Sequence, residues 1–524
     1  PLLGAAVVWA RPGAARRHAR PVAVGVSLLV AALAVGATLA FDTAAAGTHQ
    51  LLETHAWIPA LGVSYALGVD GVGLALVLLS VVLVPLVLLA AWREHPDATV
   101  ATTDVGSADV APTSATDRSL EGGTRIAHYV ALVLVLEAFM VAIFAARDVF
   151  LFYVVFEAML IPVYFMIGAF GGLQRRYAAV KFLLFSLAGG LIMLAGVIAL
   201  YLNGPRGPQG FLTENLVGAL DLPVTTERLI FLAFFVAFAI KAPMWPVHTW
   251  LPDAAEQAPA GTSVLLVGVL DKVGTFGMLT LCLPLFPAAS QWAAPAIIVL
   301  AVTSILYGAL LAIGQEDLLR LIAYTSVSHF GFIILGIFAF TSVSIQGASL
   351  YMVNHGLSTG MLFLVAGFLV ARRGTARIAD YGGLQKVVPV LAGTFLVAGL
   401  SALSLPGLST FVSEFLVLVG TFGANRPAAV VATLGVVLAA LYVLLTYQRV
   451  FTGPVRDDLA STPDLSARER WVVGPLIAAM LVLGFYPAPA LDLVREPASE
   501  SLLQVGVPDV SPQLTSTSED GSDL

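Results

Sequence analysis

The chain has 524 residues, 58% of them hydrophobic and only 11% charged, with a formal net charge of −7. That balance excludes a soluble enzyme or a nucleic-acid-binding protein and points to a polytopic membrane protein, nearly all helix. One cysteine, Cys282, rules out a disulfide framework or a cysteine-ligated metal centre, and no Walker loop, Rossmann fingerprint or c-type haem motif is present.

Apolar runs of about twenty residues predict spans. In chain order they lie at 1–10 (short; no methionine precedes Pro1, so a start further upstream is expected), 21–41, 70–92, 127–146, 149–170, 178–202 and 228–250. The series continues at 259–283, 293–314, 316–340, 344–371, 388–420, 427–448 and 471–489, about fourteen in all. The loop 94–126 is small, polar and acidic and reads as a flexible insertion, as does the tail after Pro497.

Charge bias orients these spans. The odd-numbered loops hold most of the 26 basic residues, among them Arg16, Arg17, Arg93, Arg125, Arg175, Arg176, Lys181, Arg320, Arg372, Arg373, Arg456 and Arg470. The even loops and the tail hold only Arg147, Arg206, Arg228, Arg426 and Arg495. The positive-inside rule then puts odd loops in the cytoplasm and both termini outside. Two basic residues remain, Lys241 and Lys272, and both fall inside spans.

Lys241 opens the stretch that organises the chain, Lys241-Ala-Pro-Met-Trp-Pro-Val-His-Thr-Trp-Leu-Pro-Asp253. An intramembrane lysine is by default a functional residue. Pro243 and Pro246 break the helix beside it, which is tolerated at membrane depth only where protein or a water-filled cavity satisfies the freed backbone. Five spans later Ser404-Leu-Pro-Gly-Leu-Ser-Thr-Phe-Val-Ser-Glu414 is a second interruption next to an ionisable residue. Interrupted spans at matching places point to paired transport sites. Five is odd, so spans 4–8 (127–283) and 9–13 (293–450) are expected to be inverted repeats, broken at 228–250 and 388–420. Residues 1–126 and 471–524 flank them. The expected fold is an all-α polytopic membrane protein.

The intramembrane ionisable residues are Glu137, Glu157, Lys241, His248, Asp271, Lys272, His329, His355 and Glu414. Glu157 needs a cation or a proton, and Lys241 is the natural partner for a pair that loads and releases protons; a static ion pair locking two helices is the bland alternative. Lys272 is too deep to snorkel, and adjacent Asp271 points to another helix face, so it is not an obvious partner. His329 and His355, flanked by Ser and Asn, suit a proton relay, though a lone buried histidine is usually just a core residue.

These residues sit in motifs that resemble the antiporter-like proton-pumping subunits of respiratory complex I, most closely the subunit M branch, from about 127 to 450. The motifs are Phe156-Glu-Ala-Met-Leu-Ile-Pro162, the Lys241 to Ala254 string, Gly268-Val-Leu-Asp-Lys-Val-Gly274, Ala323-Tyr-Thr-Ser-Val-Ser-His-Phe-Gly331, Asn354-His-Gly356 and Leu405 to Phe415. The resemblance implies that Glu157 and Lys241 are a tuning pair on the cytoplasmic half. It implies that Lys272, His329 and His355 form a central hydrophilic axis, with Glu414 on the exit half; His248 lies within the Lys241 motif. Glu414 stands where the L and N branches and antiporter chains carry lysine. Two departures are Ala255-Glu256-Gln257, where the family usually has His-Thr-Glu, and Asp271, where an apolar residue is common. The resemblance also implies a non-redox subunit in a bacterial-type cytoplasmic membrane. Its partners would be other complex I membrane subunits, especially the L and N types, with NADH, flavin, iron–sulfur clusters and quinone held by partner subunits. The alternatives are a subunit of a multisubunit cation/proton antiporter or of a membrane-bound hydrogenase.

Overall fold

A computed structural model describes residues 1–10, 14–93 and 115–510. Ten helices among them are long and apolar enough to cross a membrane, or eleven if the bent pair Ala467–Phe485 and Ala488–Val505 counts as one span. Four of the expected runs are missing from the ten. They are the short Leu2–Ala10 helix, the two interrupted segments, and that bent pair.

Burial divides the helices into an inner set and a rim. The windows in Ala260–Leu285 and Leu318–Phe338 are 94% buried and that in Ser342–Arg373 is 89%, whereas His18–Ala40 is 17% buried. The inner three carry Asp271, Lys272, His329 and His355, so the charged groups lie where no lipid reaches them. On the rim Leu33, Leu184, Val299 and Val437 are exposed. That density of bare aliphatic surface is a liability in water and ordinary against lipid tails.

Contacts between loops sort the helix ends onto two faces. On one, Lys181 and Arg320 share Asp253, Asp317 bridges Arg377, Arg372 pairs with Glu469, and Arg468 reaches the Leu89 and Ala90 carbonyls. On the other, Gly68 N–H donates to Ala145 O, Thr213 N–H to Arg147 O, and Ala289 N–H to Glu227. The first face gathers the ends that carry most of the basic residues.

Two helices begin in the same way on opposite faces. Asp148 caps Val149–Ala158 through the Phe150 and Leu151 N–H groups, and Asp317 caps Leu318–Phe338 through Leu319 and Arg320. Each aspartate also forms a β-bridge to a later loop, Asp148 with Leu212 and Asp317 with Arg377. Burial pushes both carboxyls up from the usual range, and the backbone donors pull them back.

Three expectations change. The all-α expectation gives way at Gln50–Ile58 and Val63–Val69, which pair as an antiparallel hairpin closed at Gly62 (φ 71°). Strands of this length are invisible to a search for twenty-residue apolar runs, and the fold is therefore mostly rather than wholly helical. The expected flexible loop 94–126 is helical from Ala115, where the helix Ala115–Phe144 begins; residues 94–114 lie outside the described residues. The expected flexible tail is helical to Val505, with Pro497, Ala498, Ser501 and Leu502 buried. This helix is bent 67° from Ala467–Phe485. Its Glu496 accepts from Gly47 N–H and its Val505 carbonyl accepts from Gln291, so it straps the second face.

Candidate functional site

Lys241 is the last residue of the Val224–Lys241 helix. Pro243 and Pro246 remove two backbone donors, and nearby groups replace them. Met244 N–H donates to Ala239 O at 3.1 Å and the Trp250 indole to Ile240 O at 2.9 Å. Trp245 N–H finds Ser304 Oγ at 2.8 Å. Protein groups thus take up freed backbone positions at the break, the kind of compensation membrane depth requires. It leaves the Lys241 ammonium buried over the Phe156 and Phe182 rings, at 5.4 and 5.7 Å from their centroids, with no hydrogen-bond partner among the described residues.

Two carboxylates act on that ammonium, Asp271 foremost and Glu157 second. Glu157 packs on Gly190, where a Cβ would collide with it, and its Oε1 is unpartnered. Glu157 and Lys241 are therefore electrostatic neighbours without a contact ion pair. A locked pair would hold them in direct hydrogen bonding, which is not the arrangement here.

Lys272 begins a line of neighbouring buried polar groups. Its ammonium donates to Val267 O and lies 2.7 Å from His355 Nδ1. Nδ1 accepts, so the neutral ring carries its proton on Nε2, which is buried and unpartnered. The His355 and His329 ring centroids are 5.3 Å apart. His329 Nδ1 is 2.7 Å from the Tyr351 hydroxyl, which donates to Glu414 Oε2 at 2.6 Å. Ser404 Oγ donates to the same oxygen at 2.8 Å, and Tyr442 stands 3.3 Å from His329 Nε2. Lys272, His355, His329, Tyr351 and Glu414 thus form one file through the inner helices.

The second interruption presents Glu414. Between Pro389–Ala402 and Ser409–Ala424 the chain turns through Ser404 (φ 60°) and Gly407 (φ 92°). Asn354 holds the restart by donating to Ser409 O at 2.6 Å and Ser413 Oγ at 3.2 Å. Glu414 is 5% exposed, and no cation among the described residues pairs with it.

His248 stands apart from this file. It packs edge-on against Tyr307 and Tyr324, and its charge neighbour is Lys181. Glu256 does hold a partner, Arg320 at 2.9 Å, beside the Asp253–Arg320 contact at 2.6 Å. Glu137 is buried, and neither of its oxygens has a partner among the described residues. Tyr351 and Tyr442 were not among the sequence candidates. The available signal for Tyr351 was its place one helical turn before His355.

Residues 146–441 match the sequence profile of the NADH:quinone oxidoreductase/Mrp antiporter transmembrane family. Subunit M of NADH-quinone oxidoreductase from Mycobacterium tuberculosis is 49% identical over 523 residues, covering 98% of this chain and 94% of that one. The chain belongs to the subunit M family. A chain of respiratory complex I from Thermus thermophilus with bound NADH matches with a TM-score of 0.82 at 30% identity, over 97% of this chain and 100% of that one. A chain of the Mrp complex from a Dietzia species matches with a TM-score of 0.80 at 21% identity, over 96% and 97%, and is alike in fold alone. The file from Lys272 to Glu414 and the Lys241 site all fall within the matched region.

Proposed function

We propose that this chain is a proton-translocating membrane subunit of NADH-quinone oxidoreductase. Quinone reduction elsewhere in the complex drives protons along its buried Glu, Lys, His and Tyr residues. The observation that carries this reading is the file Lys272–His355–His329–Tyr351–Glu414, buried throughout and built from groups that pass protons. Glu157 and Lys241 set the protonation of the first half, and Glu414 releases to the outer side. His248 lies toward the basic face beside Lys181, where protons enter.

The chain holds no redox group in this reading. NADH, flavin, iron–sulfur clusters and quinone belong to partner subunits, and the L- and N-type subunits are its membrane neighbours. The alternation of loop contacts between two faces supports about fourteen crossings in a bacterial cytoplasmic membrane, basic face inward, termini outward. The matched caps at Asp148 and Asp317, on opposite faces, support two inverted repeats. The antiporter alternative rests on likeness of fold.

The test is proton pumping by membranes carrying Glu157→Ala or Lys241→Ala in the assembled complex. Removing either charge shifts the protonation equilibrium of the group left buried. NADH oxidation by ferricyanide should persist while pumping fails. Pumping at the unmodified rate per NADH oxidised in both variants rejects the reading, and the proteins that co-purify with the chain check its assignment to a redox complex.

A further inference from the structure

Asp271 belongs to neither group of residues used above. It is fully buried, and neither carboxylate oxygen accepts a hydrogen bond among the described residues. An acid of that kind is costly unless a charge compensates it. Two do: Lys272 foremost, then Lys241. From the other side, Asp271 is the foremost carboxylate acting on Lys241, ahead of Glu157.

The helix geometry explains how adjacent residues serve different neighbours. A π-turn, Leu266–Leu270, precedes Asp271, whose N–H reaches back five residues to Leu266 O at 3.0 Å. Such bulges recur at functional sites because they re-aim the residues that follow. Gly274, one turn after Asp271 on the same face, abuts the backbone of the first break, with Phe238 O and Ala242 N in the space a Cβ would need. Gly268, one turn before Lys272, faces the Gly356 carbonyl beside His355. Asp271 therefore looks toward Lys241 and Lys272 toward His355.

We propose that Asp271 is a proton station that joins Lys241 to Lys272, making the first-half pair and the central file one continuous path. This rests on the proton-translocating reading above. The step balances. The Lys241 ammonium gives its proton to the Asp271 carboxylate, leaving a neutral amine and a carboxylic acid. The acid passes the proton to a Lys272 amine that has already discharged toward His355, which restores the carboxylate and the ammonium. Two lysines then share two carboxylates, Glu157 and Asp271, and a change at one pair is felt at the other.

The experiment uses the whole respiratory complex in a strain lacking its own copy of this subunit, with ferricyanide reduction by NADH as the measure of intact complex. Asp271→Asn keeps shape and removes the titratable group, so the protons this subunit moves per NADH oxidised should be lost, transfer along its path slowing on the order of a hundredfold or more without the positioned acid–base group. Asp271→Glu should restore part of the pumping, with a displaced pH profile of NADH:quinone activity. Parent-like pumping in Asp271→Asn, while Lys241→Ala in the same strain fails, overturns this inference and leaves the broader reading standing. Parent-like pumping in both variants overturns both. If Asp271→Asn does not assemble, the Asp271→Glu pH profile decides: displacement supports the station, and a profile superimposable on the parent's overturns it.

Discussion

The Tyr351 hydroxyl donates to Glu414 at 2.6 Å while its oxygen lies 2.7 Å from His329 Nδ1. A phenol has one proton, so with that proton on Glu414 its oxygen accepts from the ring N–H, and His329 is the Nδ1–H tautomer. The tyrosine can then hand a proton onward only by a concerted shift, taking one from the imidazole as it gives one to the carboxylate. Tyr351→Phe removes this link and keeps the ring packing against Phe332. Pumping should drop on the order of tenfold or more, as for loss of a positioned acid–base group, with assembly unchanged. Unaltered pumping in an intact Tyr351→Phe complex would show that protons reach Glu414 by another route.

Much of this site is legible in the sequence for one physical reason. A charge in an apolar window is expensive, so Lys241, Lys272, Glu157 and Glu414 announce themselves. Tyr351 and Tyr442 do not, because a tyrosine in a hydrophobic helix is ordinary until a partner for its hydroxyl is seen. The orientation of Asp271 is similarly hidden, since a π-turn immediately before it resets the helical register on which sequence spacing relies. In the fold, hydropathy located the ten long apolar helices but not the hairpin at Gln50–Val69, whose strands are too short. It also missed the Ala488–Val505 helix, where Asp492, Arg495, Glu496 and Glu500 mask a buried stripe of Val494, Pro497, Ala498 and Ser501.

The orientation is testable by thiol labelling. Cys282 is buried, so it contributes little background. A cysteine placed between 94 and 114 should react with an impermeant reagent only from the cytoplasmic side, and one in 511–524 only from outside. The reverse pattern would invert the positive-inside assignment and exchange uptake and release halves.

Asp253 ties two halves of the molecule together on the basic face. It accepts from Lys181 at 2.5 Å and Arg320 at 2.6 Å, and Arg320 also holds Glu256 at 2.9 Å. The side chains are 16–30% exposed, so the network lies between surface and core. Its loss should cost more than the ~0–1 kcal/mol of an exposed pair and less than the ~3–5 kcal/mol of breaking a buried one. Asp253→Asn should lower the thermal midpoint of the complex, while Glu256→Gln, which leaves both Asp253 contacts, should lower it less. Equal midpoints for Asp253→Asn and the parent would reduce this cluster to surface decoration.

In the proposed pathway Glu414 is the group from which a proton leaves the file. Its carboxylate has two hydroxyl donors, Tyr351 and Ser404, and no ion-paired cation among the described residues. This carboxylate is held by neutral hydroxyl donors and not by a fixed cation. A fixed arginine or lysine beside it would pin it in the ionised form and end its use as a carrier. The interruption at Ser404 to Gly407 lies immediately beside it, the place in this helix where backbone groups are not committed to the helical ladder. Glu414→Gln preserves size and hydrogen bonding but cannot cycle a proton, so pumping should be lost, and quinone reduction should slow with it if the two are obligately linked. Glu414→Asp should keep part of the activity. Glu414→Lys supplies the other charge type that can carry a proton, and it should restore more pumping than Gln does, at a different pH optimum. The comparison of Gln, Asp and Lys variants for protons moved per NADH oxidised separates carrier from structural carboxylate. A structural role predicts Gln best tolerated and Lys worst, whereas a carrier predicts Gln worst.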